Sequence, residues 1–240
     1  MNVIAVTQKG IGKKENEDRI IVGKSVVANG TLHTEIEEGV LAIADGVGGN
    51  NAGSVASHFV ANSLCNVREI SIEQMQEINN ELIKLSELFE DRKGMATTLS
   101  GVNISDCKVQ LFNIGNSRVY LLQSRKYLKQ LTTDDTTLNY LLATGQLSLE
   151  EAENFERKNE ITACFGGGSH NLFKIKLSNV DLFTSPIMIT SDGIHDYLTV
   201  DDMEDIIDEF GLSEGMCEKL INVARENGSS DDASIILGGI

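Results

Sequence analysis

The sequence predicts an α+β fold in which amphipathic helices cover antiparallel strands. Three observations predict it. Short apolar runs end in glycine or aspartate, as buried strands do. Residues 95–123 hold three β-type segments separated by turns, the pattern of a meander. Residues 71–89, 201–209 and 214–226 repeat apolar side chains at the spacing of a helix with one buried face.

In chain order, residues 2–7 form a strand and 8–14 a polar turn. The charged stretch 15–19 leads into a strand over 20–28. Residues 40–44 are a short buried strand that should stop at Asp45. Gly46, Gly48 and Gly49 let the backbone turn sharply, and a helix begins at Ala52 with Val55, Phe59, Val60 and Leu64 at helical spacing. Ser71-Ile72-Glu73-Gln74 has the pattern of a capping box. Met75, Ile78, Leu82, Leu85 and Phe89 follow as one apolar stripe, so the two helices can pair over a sheet.

Strands over 95–104, 108–113 and 119–123 come next, with a tight turn at 114–118. Residues 136–143 are amphipathic and stop at Gly145, and Ser148 caps a second short helix. Residues 134–168 carry little apolar sequence and read as a surface excursion closed by a mobile triple-glycine turn. Strands over 172–177 and 186–190 follow, the second ending in Asp192-Gly193 as the earlier one ends in Asp45-Gly46. Helices over 201–209 and 214–226 lead through the turn at 228–234 into a last strand, 233–237. Pro186 is the only proline and no linker composition is present, so one domain over residues 1–240 is expected.

Composition narrows the function. Lys+Arg number 20 and Asp+Glu 36, a formal net charge of −16, which argues against nucleic acid or an anionic membrane as partner. No stretch is apolar for long enough to span a bilayer, and the N-terminus lacks the basic start of a signal peptide. Cys65, Cys107, Cys164 and Cys217 are scattered, which suits free thiols in a cytoplasmic, reducing setting and argues against zinc. His33, His58, His170 and His195 form no ligand motif. A P-loop, a dinucleotide fingerprint and a G-x-S-x-G elbow are all missing. No cysteine sits in a phosphate-cradling loop beside an arginine.

What the chain has instead is carboxylates at strand ends: Glu17 and Asp18, Asp45, Asp192, and Asp231 with Asp232. Successive strand residues point to opposite faces, so Glu17 and Asp18 can serve one site only if the chain turns there or one acts through water. Gathered in one cleft, these carboxylates would repel unless cations lay among them. Carboxylate, carbonyl and water ligands select Mg²⁺ or Mn²⁺. A charged turn at 15–19 and a capping aspartate at 45 are the plain alternatives for each motif taken alone.

The ordered set Asn16-Glu17-Asp18, Asp45-Gly46-Val47-Gly48-Gly49, Met95-Ala96-Thr97-Thr98, Gly115-Asn116-Ser117-Arg118, Ser191-Asp192-Gly193 and Asp231-Asp232-Ala233-Ser234 resembles the metal-dependent protein phosphatases of the type 2C (PPM) family in compact bacterial form. The likeness runs from about Thr7 to Leu237, with residues 134–168 similar to that family's flap. It implies a four-layer α-β-β-α sandwich and hydrolysis of phosphoserine and phosphothreonine in proteins by a metal-activated water at a dinuclear Mn²⁺ or Mg²⁺ site. It implies that Asp45 bridges both ions with the Gly46 carbonyl on one, that Asp192 and Asp231 hold the other, and that Glu17 and Asp18 act directly or through water. Phosphorylated proteins, products of a serine/threonine kinase, are the implied partners.

Four positions depart from the family pattern. Lys13 stands where an arginine usually grips the substrate phosphate; it keeps the charge without the planar fork. Asn116 replaces an aspartate that helps hold a third, weaker ion, leaving that ion without its charged ligand. Asp232 replaces an asparagine and adds a negative charge or an alternative ligand, and Ala96 replaces a glycine. Lys13 and Asn116 motivate the alternative of a pseudophosphatase that binds a phosphoprotein or partner without turnover.

Overall fold

Along the long strands, successive side chains enter different cores. In β1 (Asn2–Gln8), Val3 and Ala5 join one cluster while Ile4 and Val6 join another. In β5 (Gly39–Val47), Leu41 and Ile43 join the first of these, and Val40, Ala42 and Ala44 join a third. Strands covered on both faces need such unbroken apolar runs. The outcome is the four-layer α-β-β-α sandwich, with three hydrophobic cores between its four layers. The computed structural model describes residues 1–47, 52–65, 67, 69–105, 108–152, 154–180 and 185–239. Gly48, Gly49 and Cys107, read above as turn glycines and a free thiol, lie outside the described residues.

One antiparallel sheet orders β10 (Tyr127–Gln130), β9 (Arg118–Gln123), β13 (Ile187–Thr190), β14 (Ala233–Gly238), β1 and β4 (Gly30–Glu35). The other orders β11 (Phe165–Gly166), β6 (Ala96–Thr97), β5, β7 (Leu99–Ser105), β8 (Lys108–Ile114) and β12 (Lys176–Val180). β2 (Asp18–Val22) pairs with β5, and β3 (Ser25–Val27) pairs with β2. Val3, Ile20, Leu41, Val102, Ile189 and Ile236 fill the layer between the sheets. Each such fully buried side chain contributes about 1.5–3 kcal/mol. The second sheet's outer face is covered by α1 (Ala52–Leu64) and α2 (Ile72–Glu87). The first sheet's outer face is covered by α5 (Asp192–His195), α6 (Val200–Phe210) and α7 (Glu214–Glu226). α3 (Thr137–Ala143) and α4 (Leu149–Ala152) lie in the excursion between β10 and β11.

Several elements differ from the sequence reading. The strand expected over 20–28 is a hairpin, folded at Gly23 with φ +56°. β4 was not expected: it is a half-exposed edge strand of Thr and His that offers little apolar signal. β5 does not stop at Asp45, because Gly46 and Val47 pair onward with Thr97 and Ala96 of β6. Phe89 leaves the α2 stripe; the helix ends at Glu87, and the 46% exposed ring lies beneath the Arg92 guanidinium. β10 was unread, and the strand expected over 172–177 begins only at Lys176, after a 3₁₀ turn at His170–Leu172. The end of the excursion is core and not surface: Cys164 and Phe165 are buried, and β11 pairs with β6. The turn that follows is packed. Gly166 has φ +76°, its N–H donates to Asn79 Oδ1 at 2.8 Å, and a Cβ there would strike the Met95 carbonyl. Among the described residues no helix is long and apolar enough to cross a membrane.

Candidate active site

The two-residue period of the strands builds the site. Ile20 and Val22 of β2 face the layer between the sheets, so Asp18 at the start of that strand faces it too. Asp45 continues the Leu41–Ile43 series of β5 in the same way. Asp18 and Asp45 are register partners, so two carboxylates oppose each other where the inter-sheet core ends. From the other sheet, Thr7 and Ser234 continue the inward series of β1 and β14. Ser234 Oγ lies 2.6 Å from Asp18 Oδ2 and 2.7 Å from Thr7 Oγ1. Asn16 joins them, donating from Nδ2 to Thr7 Oγ1 at 2.8 Å and accepting from the Asp18 N–H at 2.9 Å. Asn16 and Ser234 stand in the motifs quoted above without a role of their own, and Thr7 stands in none; only parity with the apolar series marks the two hydroxyls.

Asp192 opens α5 behind the cap residue Ser191, and Asn116 Nδ2 donates to its Oδ2 at 2.9 Å. The Asp45 and Asp192 carboxyls are near enough for each to perturb the other. Glu17 precedes β2 where the chain still bends, which resolves the parity conflict with Asp18. Its carbonyl accepts from the Gly46 N–H at 3.2 Å. Gly46 and Gly53 meet backbone to backbone: a Cβ on Gly53 would fall 2.8 Å from both the Gly46 carbonyl oxygen and Glu17 Oε1. The glycine at 46 therefore serves close approach of α1 to the strand.

A second group of residues forms the rim. Lys13 Nζ contacts Asp231 Oδ1, and lies 3.0 Å from Asp232 Oδ2 and 3.7 Å from Glu17 Oε2. Asp232 is 2% exposed and acts as a strut: its carboxylate accepts from the Gly10 N–H at 2.7 Å and the Glu17 N–H at 2.8 Å. Asp231, with a side chain 45% exposed, is the open member of the pair. The structure thus brings Asp18, Asp45 and Asp192 together, and sets Asp231, Glu17 and Lys13 beside them with the lysine among the carboxylates.

The carboxyls disturb one another. Desolvation pushes Asp45 well above its ordinary value, and the charges of Asp192, Asp18 and Asp231 push it further. Desolvation also raises Asp192, with Asp231 adding to the rise and the Asn116 amide opposing it. Glu17 is raised by desolvation, against the pull of Lys13. Lys13 is held above its usual value: desolvation lowers it, but the Asp231 and Asp232 carboxylates outweigh that.

This donor set fits a hard divalent cation. Asp45 and Asp192 approach as a carboxyl pair, and Asp18 Oδ1 is buried with no hydrogen-bond partner among the described residues. Both features are costly without a cation and favourable with one. Oxygen donors without thiol or imidazole suit Mg²⁺ or Mn²⁺. Among the described residues, no three carboxylate, histidine or cysteine side chains converge closely enough to clasp one ion unaided. Cations that keep several waters suit such an open set.

Arg118 anchors the nearby excursion. Its guanidinium grips Asp134 with two nitrogens, at 2.7 and 3.0 Å to Oδ2, and the Asp135 N–H donates to the Gly115 carbonyl at 2.8 Å. The base of residues 134–168 is therefore fastened to the turn that carries Asn116.

No protein-family model matches the sequence. Individual proteins do. The serine/threonine phosphatase stp of Listeria monocytogenes is 29% identical over 250 residues, covering 96% of this chain and 92% of that protein. The crystal structure of the serine/threonine phosphatase Stp1 from Staphylococcus aureus matches with a TM-score of 0.80 and 27% identity, over 99% of this chain and 94% of that one. Over nearly its whole length the chain is similar to bacterial serine/threonine protein phosphatases. Its fold is also that of the catalytic domain of the phosphatase PstP, solved in complex with two manganese ions, with a TM-score of 0.74 and 24% identity over 99% of this chain and 98% of that one. The described residues of the six motifs gather around one end of the inter-sheet layer, although they are spread from residue 16 to residue 234.

Proposed function

We propose that this chain hydrolyses phosphoserine and phosphothreonine in proteins at a dinuclear Mn²⁺ or Mg²⁺ site. The observation that carries the proposal is the gathering of Asp45, Asp192 and Asp18 at one sheet end, with Asp18 and Asp45 opposite each other and a buried carboxylate oxygen of Asp18 unpartnered among the described residues. Asp45, the Gly46 carbonyl, Asp192 and Asp231 would hold the ions, with Asp18 and Glu17 directly or through water. Divalent ions held there would supply Lewis-acid activation of water and stabilise the charge that develops at phosphorus. Asn116 orients Asp192 through its amide, and Asp18 is oriented by Ser234, Thr7 and Asn16. Lys13 supplies the positive charge nearest to Asp231 and serves the substrate phosphate. Asn116 brings no charge of its own, so a third ion would lack the usual carboxylate.

Phosphorylated proteins made by a serine/threonine kinase are the proposed substrates, and the cytoplasm the proposed location. Among the described residues Cys164 and Cys217 are free thiols, which supports a reducing compartment. Calorimetric titration with Mn²⁺ tests the site. About two ions per chain are expected for the parent, and at least tenfold weaker binding for Asp192→Asn. Absence of Mn²⁺ binding by the folded parent would overturn the proposal.

A further inference from the structure

Two departures from the family pattern, Lys13 and Asp232, meet in space. The Lys13 ammonium contacts Asp231 Oδ1 and lies 3.0 Å from Asp232 Oδ2. Asp231 Oδ1 also accepts from the Asp232 N–H at 2.8 Å, so this oxygen faces the lysine and its own turn. The loop beneath is fixed. Gly10 presses on the chain at 230–231 so closely that a Cβ would strike the Ser230 carbonyl, and the Gly10 N–H is tied to Asp232. The backbone thus holds Lys13 beside Asp231, while the long side chain leaves its charged head free to swing.

We propose that Lys13 is an internal counter-cation for Asp231. In the metal-free protein its ammonium neutralises that carboxylate; when a divalent cation is held there, Lys13 gives the carboxylate up and turns to the substrate phosphate. The proposal rests on Asp231 being a metal ligand, as argued above. An ammonium and a divalent cation repel at such range, so both cannot share Asp231 closely. Lysine suits this exchange better than arginine, whose rigid two-pronged grip on a carboxylate is harder to release. Asp232 completes the device. Buried and fixed by two backbone N–H groups, it keeps the released ammonium at the rim. The lysine and the second aspartate are then one paired change.

The test is amine labelling of the full chain by an N-hydroxysuccinimide ester, read residue by residue by mass spectrometry, with Mn²⁺ binding followed by calorimetry on the same sample. Exposed Lys14 serves as internal reference. Mn²⁺ is expected to raise Lys13 labelling several-fold relative to Lys14, and phenylphosphonate added with Mn²⁺ to lower it again. Lys13→Gln is expected to bind Mn²⁺ about tenfold more tightly than the parent. Mn²⁺ binding with Lys13 labelling unchanged or reduced would overturn the counter-cation role and leave the metal site standing. No Mn²⁺ binding at all would overturn both.

Discussion

Asp45→Asn and Asp192→Asn are expected to lower kcat/KM on a phosphothreonine peptide by on the order of 10³ while raising the thermal midpoint of the metal-free protein. Metal ions supply several kcal/mol of charge stabilisation in such reactions, and each 1.36 kcal/mol is tenfold in rate, so losing a ligand costs roughly that much. The rise in stability has a different origin. The Asp45 and Asp192 carboxyls are each driven above their ordinary value, by desolvation first and then by neighbouring carboxylates. An amide at either position removes one of the opposed charges and keeps the shape. Function and stability should therefore move in opposite directions, as at other sites that hold strain for activity. Variants that lost both activity and thermal midpoint would mark these carboxylates as structural supports.

Divalent metal is expected to stabilise the protein much more at pH 7.5 than at pH 5. Desolvation drives Asp18 from 3.8 to about 7, with Asp232 and Asp192 adding and the Ser234 hydroxyl opposing. Between those values the folded chain keeps a proton that the unfolded chain has lost. The metal-free protein therefore loses stability as pH rises through this window. A rise of that size corresponds to up to about 4 kcal/mol. His195 works the other way. Burial, and then the charge of Arg118, hold it neutral well below its usual value, so its contribution is lost as pH falls below 6.5. His195 contributes alike with and without Mn²⁺, so comparing metal-loaded with metal-free protein at each pH leaves the competition of the ion with protons for the carboxylates. Thermal midpoints with and without Mn²⁺ at the two pH values measure the difference. Equal shifts at both would contradict a carboxylate site.

Much of this was legible in the sequence. Buried strands announce themselves by apolar runs, and α7 spans Glu214–Glu226 as the apolar spacing predicts. The strand-end carboxylates were visible because an aspartate after an apolar run is conspicuous. What could not be read depends on partners distant in sequence. β4 and β10 are edge strands whose pairing decides their structure more than their composition does. Asp45 lies within β5 because β6, some fifty residues later, extends the ladder past it. Asp232 reads as a spare ligand, yet in the fold its charge is taken up by Gly10, Glu17 and Lys13. The contact of Lys13 with Asp231 joins residues 218 apart, and no local pattern records it.

The most direct test of the account is hydrolysis of a phosphothreonine peptide by the parent protein as Mn²⁺ is titrated, with Asp192→Asn measured alongside. The account predicts turnover that rises with Mn²⁺, disappears with a chelator and is lost in the variant. A folded parent that binds Mn²⁺ yet shows no turnover at saturation, or turnover that survives the chelator, would contradict it.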